Sequence, residues 1–222
     1  MNEGFNRTIL VDKPSGISSF GVVARVRAQL RDEAGRKVKV GHTGTLDPFA
    51  TGLLILLSGQ NTRKSDEFLK LDKEYEATIF LGAKSSTGDP EGELTKVSDA
   101  QPTREEVIKV LKSFEGKLKQ RPPIYSAVKV NGQRAYKLAR KGEMPEIPER
   151  EVMIYELEFL DYQYPLLKIR TKVSSGTYIR TLAEQIGEAL GVGGYCLELR
   201  RTKIGQYDVE DAMTISLIRQ NK

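Results

Sequence analysis

The chain holds one cysteine, one histidine and no tryptophan in 222 residues. A single Cys196 excludes an intrachain disulfide and fits a reducing, cytoplasmic setting. One histidine and one cysteine cannot build an ordinary zinc site, so no metal is expected. The first six residues lack the apolar segment of a secretory signal, and no apolar run approaches membrane-spanning length. Internal repeats, low-complexity tracts and a clear interdomain linker are missing as well. What remains suits a globular chain with a core: 39% hydrophobic and 29% charged residues. The formal charge of +5 weakly favours a polyanionic partner.

Periodicity places several elements. Residues 8–12 read as a strand leading into the turn Lys13-Pro14-Ser15-Gly16. Ser18 or Ser19 can cap a helix over 20–30, with Val22 or Val23, Val26 and Leu30 as its apolar stripe and Gly35 as its stop. Residues 53–57 form a continuous apolar run, as in a strand covered on both faces. Residues 75–81 read as another strand, and 85–92 as a polar loop. Thr103 and Glu106 form a capping box, followed by Val107, Val110, Leu111 and Phe114 at helical spacing. Residues 167–174 alternate in period two, and a helix is expected from about Tyr178, with Leu182, Ile186, Ala189 and Leu190 on its core face. Cys196, in Gly-Tyr-Cys-Leu-Glu-Leu, is expected in a strand as a small buried hydrophobe. Strands and helices lack a regular βαβ rhythm, which predicts an α+β fold with a largely antiparallel sheet in a single domain.

The most informative segment is GHTGTLDPFATGLL, from Gly41 to Leu54. It presents Asp47 on a Gly-rich loop five residues after the only histidine, His42, and directly before the apolar run. An acid on a loop anchored to a rigid strand is a natural catalytic group, although such a loop can equally be only a turn. No Gly-Lys-Ser/Thr follows the glycines, which argues against a P-loop. Basic residues are clustered. Residues 117–141 carry Lys117, Lys119, Arg121, Lys129, Arg134, Lys137, Arg140 and Lys141 with no Asp or Glu, interleaved with Tyr125 and Tyr136. Arg25, Arg27, Arg31, Arg36, Lys37 and Lys39 form a second cluster, and Arg200, Arg201 and Lys203 a third. Phosphate contacts by the cations and base stacking by the tyrosines favour RNA or DNA over a small anion.

The Asp47 segment closely resembles the catalytic motif of the TruB family of tRNA pseudouridine synthases. Further segments resemble that family in order: Lys13 to Ser19, Lys73-Glu74-Tyr75, Pro122 to Gly132 with Ala135 to Arg140, Ser175 to Leu182, and Leu197 to Thr202. The resemblance implies a pseudouridine synthase catalytic fold, a central sheet flanked by helices, spanning 1–222 with an RNA-gripping insertion at 121–150. It implies isomerisation of the T-loop uridine 55 of tRNA without a cofactor, with a tRNA-folding role as an addition. Asp47 is then the catalytic carboxylate, acting as nucleophile or base. Arg180 is its counter-ion, Tyr75 stacks on the flipped uracil, and Tyr178 supports the pocket near Asp47 or Arg180. Leu199 packs on the base, while His42, Lys13, Tyr125, Lys129, Arg140 and Arg200 contact RNA. A monomer needing no protein partner and no membrane is implied. Two departures stand out. The family's C-terminal RNA-binding extension is expected to be absent, and Ser85 to Pro90 is altered from the family's more acidic loop.

Overall fold

The computed structural model describes residues 5–126, 128–130, 132–139 and 141–215, the side chains of Lys129 and Tyr136 excepted. The strands are β1 (Thr8–Lys13), β2 (Val40–His42), β3 (Thr51–Ser58), β4 (Lys73–Leu81), β5 (Ala83–Ser85), β6 (Leu94–Lys96) and β7 (Gly116–Gln120). They continue with β8 (Lys129–Val130), β9 (Gln133–Arg134), β10 (Arg150–Gln163), β11 (Leu166–Val173), β12 (Gly194–Ile204), β13 (Tyr207–Asp208) and β14 (Met213–Thr214). The α-helices are α1 (Ser19–Ala34), α2 (Ser65–Leu69), α3 (Arg104–Ser113), α4 (Ala135–Ala139) and α5 (Ile179–Ala189). The chain divides into two compact units, Met1–Tyr75 with Arg200–Lys222, and Glu76–Leu199. β4 and β12 each run from one unit into the other.

In the first unit the strand order is β14-β1-β3-β12, with β2 also on β3 and β13 on β12. β1 and β3 are antiparallel, whereas β1–β14 and β3–β12 are parallel, so the sheet is mixed. Leu53 to Leu57 of β3 are all fully buried. Leu54 and Leu56 pack with Val22, Val23, Val26 and Leu30 of α1, and Leu53, Ile55 and Leu57 pack with Ile204 and Val209. Alternation of side chains across a strand is why one apolar run serves two cores. Burial of each such side chain contributes about 1.5–3 kcal/mol before chain entropy is counted, so β3 is the mechanical centre of this unit. Ser18 caps α1 through the Gly21 N–H, and Gly35 ends it in the left-handed region. The helix runs four residues beyond the expected Leu30.

In the second unit the order is β12-β4-β11-β10-β7. β11 shows the expected alternation, with Leu167, Ile169, Thr171 and Val173 inward. The Thr103/Glu106 capping box is formed, and α3 buries Val107 and Leu111. α5 starts one residue after Tyr178, which is extended, and buries Ile179, Leu182, Ala183 and Ile186. Cys196 is fully buried in β12. The observed fold is the mixed helix-and-sheet class expected from the sequence.

Candidate active site

The Asp47 loop is braced by the turn after β1, by α1 and by β12. It joins β2 to β3 and is half-buried at Asp47. The turn after β1 holds it from one side: Lys13 Nζ donates to the carbonyls of Pro14 (2.9 Å), Ile17 (2.8 Å) and Pro48 (3.2 Å), and the Gly16 N–H donates to the Pro48 carbonyl (2.9 Å). α1 holds it from another: Ser19 Oγ donates to the Leu46 carbonyl and accepts the Leu46 N–H, each at 2.8 Å. β12 contributes Arg201, whose Nε donates to the Leu53 carbonyl (2.8 Å) and whose Nη2 donates to the Gly44 carbonyl (3.1 Å). Thr43 N–H closes the loop onto the Ile55 carbonyl at 3.0 Å. Lys13 and Arg201 are 0% and 2% exposed, so both cations are consumed by backbone carbonyls rather than offered to solvent. Gly52 is required where β3 approaches β12. Its φ is 100°, and an added Cβ would run into the Arg201 carbonyl oxygen and sit 2.8 Å from the Arg201 nitrogen.

Other expected residues of this unit fall nearby in sequence and ladder. His42 ends β2, half-buried and paired in register with Leu56. Tyr75 lies on β4 and is buried. Arg200 makes a two-pronged ion pair with Asp12, at 3.0 and 2.9 Å. Lys73 is buried beside Tyr75 in sequence, its ammonium donating to the Leu69 (2.6 Å) and Leu71 (2.5 Å) carbonyls. Burial, aided by the positive Arg201, lowers its pKa to about 8 against an opposing pull from Asp72.

In the second unit Arg180, on the first turn of α5, is the centre of a buried polar cluster. Its Nη1 donates to the Thr87 carbonyl (2.7 Å) and Asp89 Oδ2 (3.1 Å), and its Nη2 to the Tyr125 carbonyl (3.0 Å). Both side chains of the Arg180–Asp89 pair are about one-twentieth exposed. Asp89 is itself held by Thr87 Oγ1 (2.5 Å) and the Glu91 N–H (3.1 Å), while Ser85 Oγ donates to its carbonyl (2.5 Å). The segment expected as a polar loop is a hydrogen-bonded turn that buries Ser85, Gly88 and Asp89 while Ser86, Pro90 and Glu91 stay exposed. Glu184, one turn along α5, has its pKa raised by burial, with Arg180 opposing the shift. Tyr178 is fixed by its backbone to the Gln120 amide (N–H to Oε1, 3.0 Å), and the Arg150 guanidinium lies 4.9 Å over its ring. Leu199 is buried and Tyr125 is exposed, presenting its ring while its carbonyl serves Arg180. The Lys129 side chain and Arg140 lie outside the described residues. Among the described residues no cluster of three or more His, Cys, Asp or Glu side chains could hold a metal ion, and no helix is long and apolar enough to cross a membrane.

A family model described as TruB family pseudouridylate synthase, N-terminal domain, matches residues 31–179, and one described as tRNA pseudouridylate synthase B C-terminal domain matches 180–221. The chain belongs to the TruB family. It is 46% identical over 205 residues to tRNA pseudouridine synthase B of Parabacteroides distasonis, covering 91% of this chain and 87% of that protein. It is 42% identical over 209 residues to the protein of the same name from Aquifex aeolicus, covering 93% and 71%. Among solved structures, that of a Cbf5-Nop10-Gar1 complex matches with a TM-score of 0.71 and 32% identity, over 94% of this chain and 52% of that one. An H/ACA RNP bound to a substrate RNA containing 2'-deoxyuridine matches with a TM-score of 0.69 and 28% identity, over 97% and 57%. This chain thus spans about half the length of those two.

The surroundings of three residues were not legible in the sequence. Lys13 was expected at RNA, yet it shares a face of β1 with fully buried Val11, and period two alone carries its ammonium inward. Arg201 was one member of a basic cluster, and nothing in its neighbours separates it from half-exposed Arg200 except strand parity. Asp89, in the loop read as altered, supplies a carboxylate to Arg180. A pairing 91 residues apart leaves no local signal.

Proposed function

We propose that the chain converts uridine 55 in the T loop of tRNA to pseudouridine, with Asp47 as the essential carboxylate. The observation that carries this is the Asp47 loop, fixed by Lys13, Gly16, Ser19 and Arg201 from three separate segments. Such bracing suits a group that must meet a reacting atom within tenths of an ångström.

The reaction is an isomerisation. The C1′–N1 bond breaks, the uracil turns, a C1′–C5 bond forms, and the proton lost from C5 is balanced by the one gained at N1. Electrons balance without an oxidant or reductant, so the chemistry asks for no redox cofactor. Asp47 acts as nucleophile or as base, and in either role it must be ionised. Arg180 would favour that ionised form, a guanidinium near a carboxylate lowering its pKa. Asp89 and the Thr87 and Tyr125 carbonyls hold Arg180 in one orientation. Tyr75 and Leu199 would pack on the uracil, Tyr178 would support the pocket, and His42, Tyr125 and Arg200 would lie along the RNA. Lys13 acts as a positioning residue, its ammonium filling three carbonyls. The uridine must leave its stack to reach a half-buried carboxylate on such a loop. The same reading makes the chain a cytoplasmic monomer acting on tRNA without a protein partner, which sedimentation in the presence of tRNA would test.

The deciding measurement is pseudouridine formation in an unmodified T-stem-loop RNA without added cofactor, wild type beside Asp47→Asn. Product from wild type alone, with RNA still bound by the variant, is expected. Product from Asp47→Asn would sink the assignment, and RNA binding without product from either protein would favour a purely RNA-folding role.

A further inference from the structure

A second, strongly basic site lies in the first unit, at the end of β3 away from Asp47. β3 carries Thr51 at the catalytic-loop end and Ser58 at the other. At roughly 3.3 Å per residue the far end is about 25 Å from the near one. There Gly59 N–H bonds the Lys39 carbonyl at 2.9 Å, bringing the stretch before β2 beside the 3-10 turn Gly59–Lys64. A cavity of about 230 Å³ opens between them, lined by Arg36, Lys37, Lys39 and Arg63 with Asn6, Gln60 and Thr62. None of the residues lining it is acidic.

The floor is hydrogen-bonded and the cations are exposed. Asn6 Oδ1 accepts the Gln60 N–H at 2.9 Å, Asn61 Nδ2 donates to the Asn6 carbonyl at 3.0 Å, and Thr62 Oγ1 donates to the Gly59 carbonyl at 2.8 Å. Gly59 has φ 60°, and a Cβ there would collide with Asn6 Oδ1 and lie 2.9 Å from the Phe5 carbonyl, so this close approach requires glycine. Val38 is buried beneath, whereas Lys37, Lys39 and Arg63 are exposed. Lys37, Lys39 and Arg63, exposed around one cavity, lower the energy of an anion that enters it. The volume is below the 300–1,000 Å³ range common for whole small-molecule ligands, and at about 30 Å³ per water-sized group it admits a tetrahedral oxyanion. Arginine forks and lysine ammonium groups are the standard partners of such an oxyanion.

We propose that this pocket binds a backbone phosphate of the RNA substrate, at a point remote from the reacting uridine. The inference rests on the RNA-modifying function proposed above. Affinity for full-length unmodified tRNA, followed by anisotropy over a series of salt concentrations, tests it with Lys37→Gln/Arg63→Gln, alongside Lys109→Gln/Lys112→Gln on α3 as a charge-matched control. The pocket variant should bind about tenfold more weakly near 0.1 M salt, with a log–log salt slope shallower by about one to two, and the control should match wild type. Wild-type affinity and slope in the pocket variant would overturn the proposal, as would an equal loss in the control. Titration with inorganic phosphate and AMP separates the sources. Saturable binding of either to wild type, lost in the pocket variant while tRNA affinity is unchanged, would assign the pocket to a free nucleotide or phosphate and overturn the RNA assignment. Pseudouridine is read in the same wild-type samples. Absence of product together with weakened tRNA binding by the pocket variant would refute the enzymatic reading and leave the pocket standing.

Discussion

At the scale of single residues, the chain uses buried cations and a hydroxyl as backbone clamps. Lys13 has no exposed surface, and its three N–H groups meet three carbonyls, one of them next to Asp47. Lys13→Met would strip those carbonyls of their donors at a cost of about 1–3 kcal/mol. We expect kcat to fall much further than tRNA affinity, because the lost bonds hold the acid and not the RNA; stopped-flow single-turnover assays beside RNA titrations would show it. An unchanged kcat would mean that the loop keeps its shape without the clamp. Ser19→Ala removes both bonds to Leu46 and should lower the unfolding free energy modestly, by about 1–2 kcal/mol in urea titration. The sequence named Ser19 as one of two caps for α1. The structure gives the cap to Ser18 and frees Ser19 for the loop, a division that only the tertiary neighbours determine.

At the scale of elements, legibility followed regularity. β11, α1 and α3 were readable because their apolar residues recur at a single period, and β3 because its apolar run is unbroken. The longest strand, β10, was not. Its pairing with β11 shifts register between Ile154 and Glu156 and again between Phe159 and Asp161, so inward positions change parity twice and the period of two is lost. The turn at 85–92 was legible as polar, but the burial of Asp89 within it was not, since that depends on Arg180. Asp89→Leu would take a buried carboxylate from that buried guanidinium, at a cost of about 1–3 kcal/mol. Thermal unfolding should move down accordingly, and pseudouridine formation should fall with it. A variant as stable and active as wild type would show the pair to be dispensable. At Gly52, alanine meets both a left-handed φ and the β12 backbone. Gly52→Ala should destabilise by several-fold more than the roughly 1 kcal/mol of an ordinary Gly→Ala conflict, read as loss of soluble folded protein.

At the scale of the whole molecule, charge and topology dominate. Lys73 binds its proton with a pKa of about 8, held below the ordinary lysine value of 10.5 by burial and by Arg201. Between those values the unfolded chain holds a proton that the folded chain has released, so this residue makes stability rise with pH from about 8 to about 10.5 and leaves it flat below. Urea midpoints of wild type and Lys73→Met across that window should diverge in favour of wild type as pH rises. Parallel curves would show that the ammonium is not released on this scale.

The first unit is interrupted: residues 76–199 intervene between the segment bearing Asp47 and the segment bearing Arg201. By loop-closure entropy, joining ends across such a span costs about 4 kcal/mol, and pairings this distant in sequence form late in folding. A nascent chain emerging from the ribosome would therefore carry its acid loop for most of its synthesis without the arginine that fixes it. Maturation of the acid loop would wait until residue 201 has left the ribosome, so a chain stalled before that point would carry Asp47 on a loop still missing the Arg201 bonds to Gly44 and Leu53.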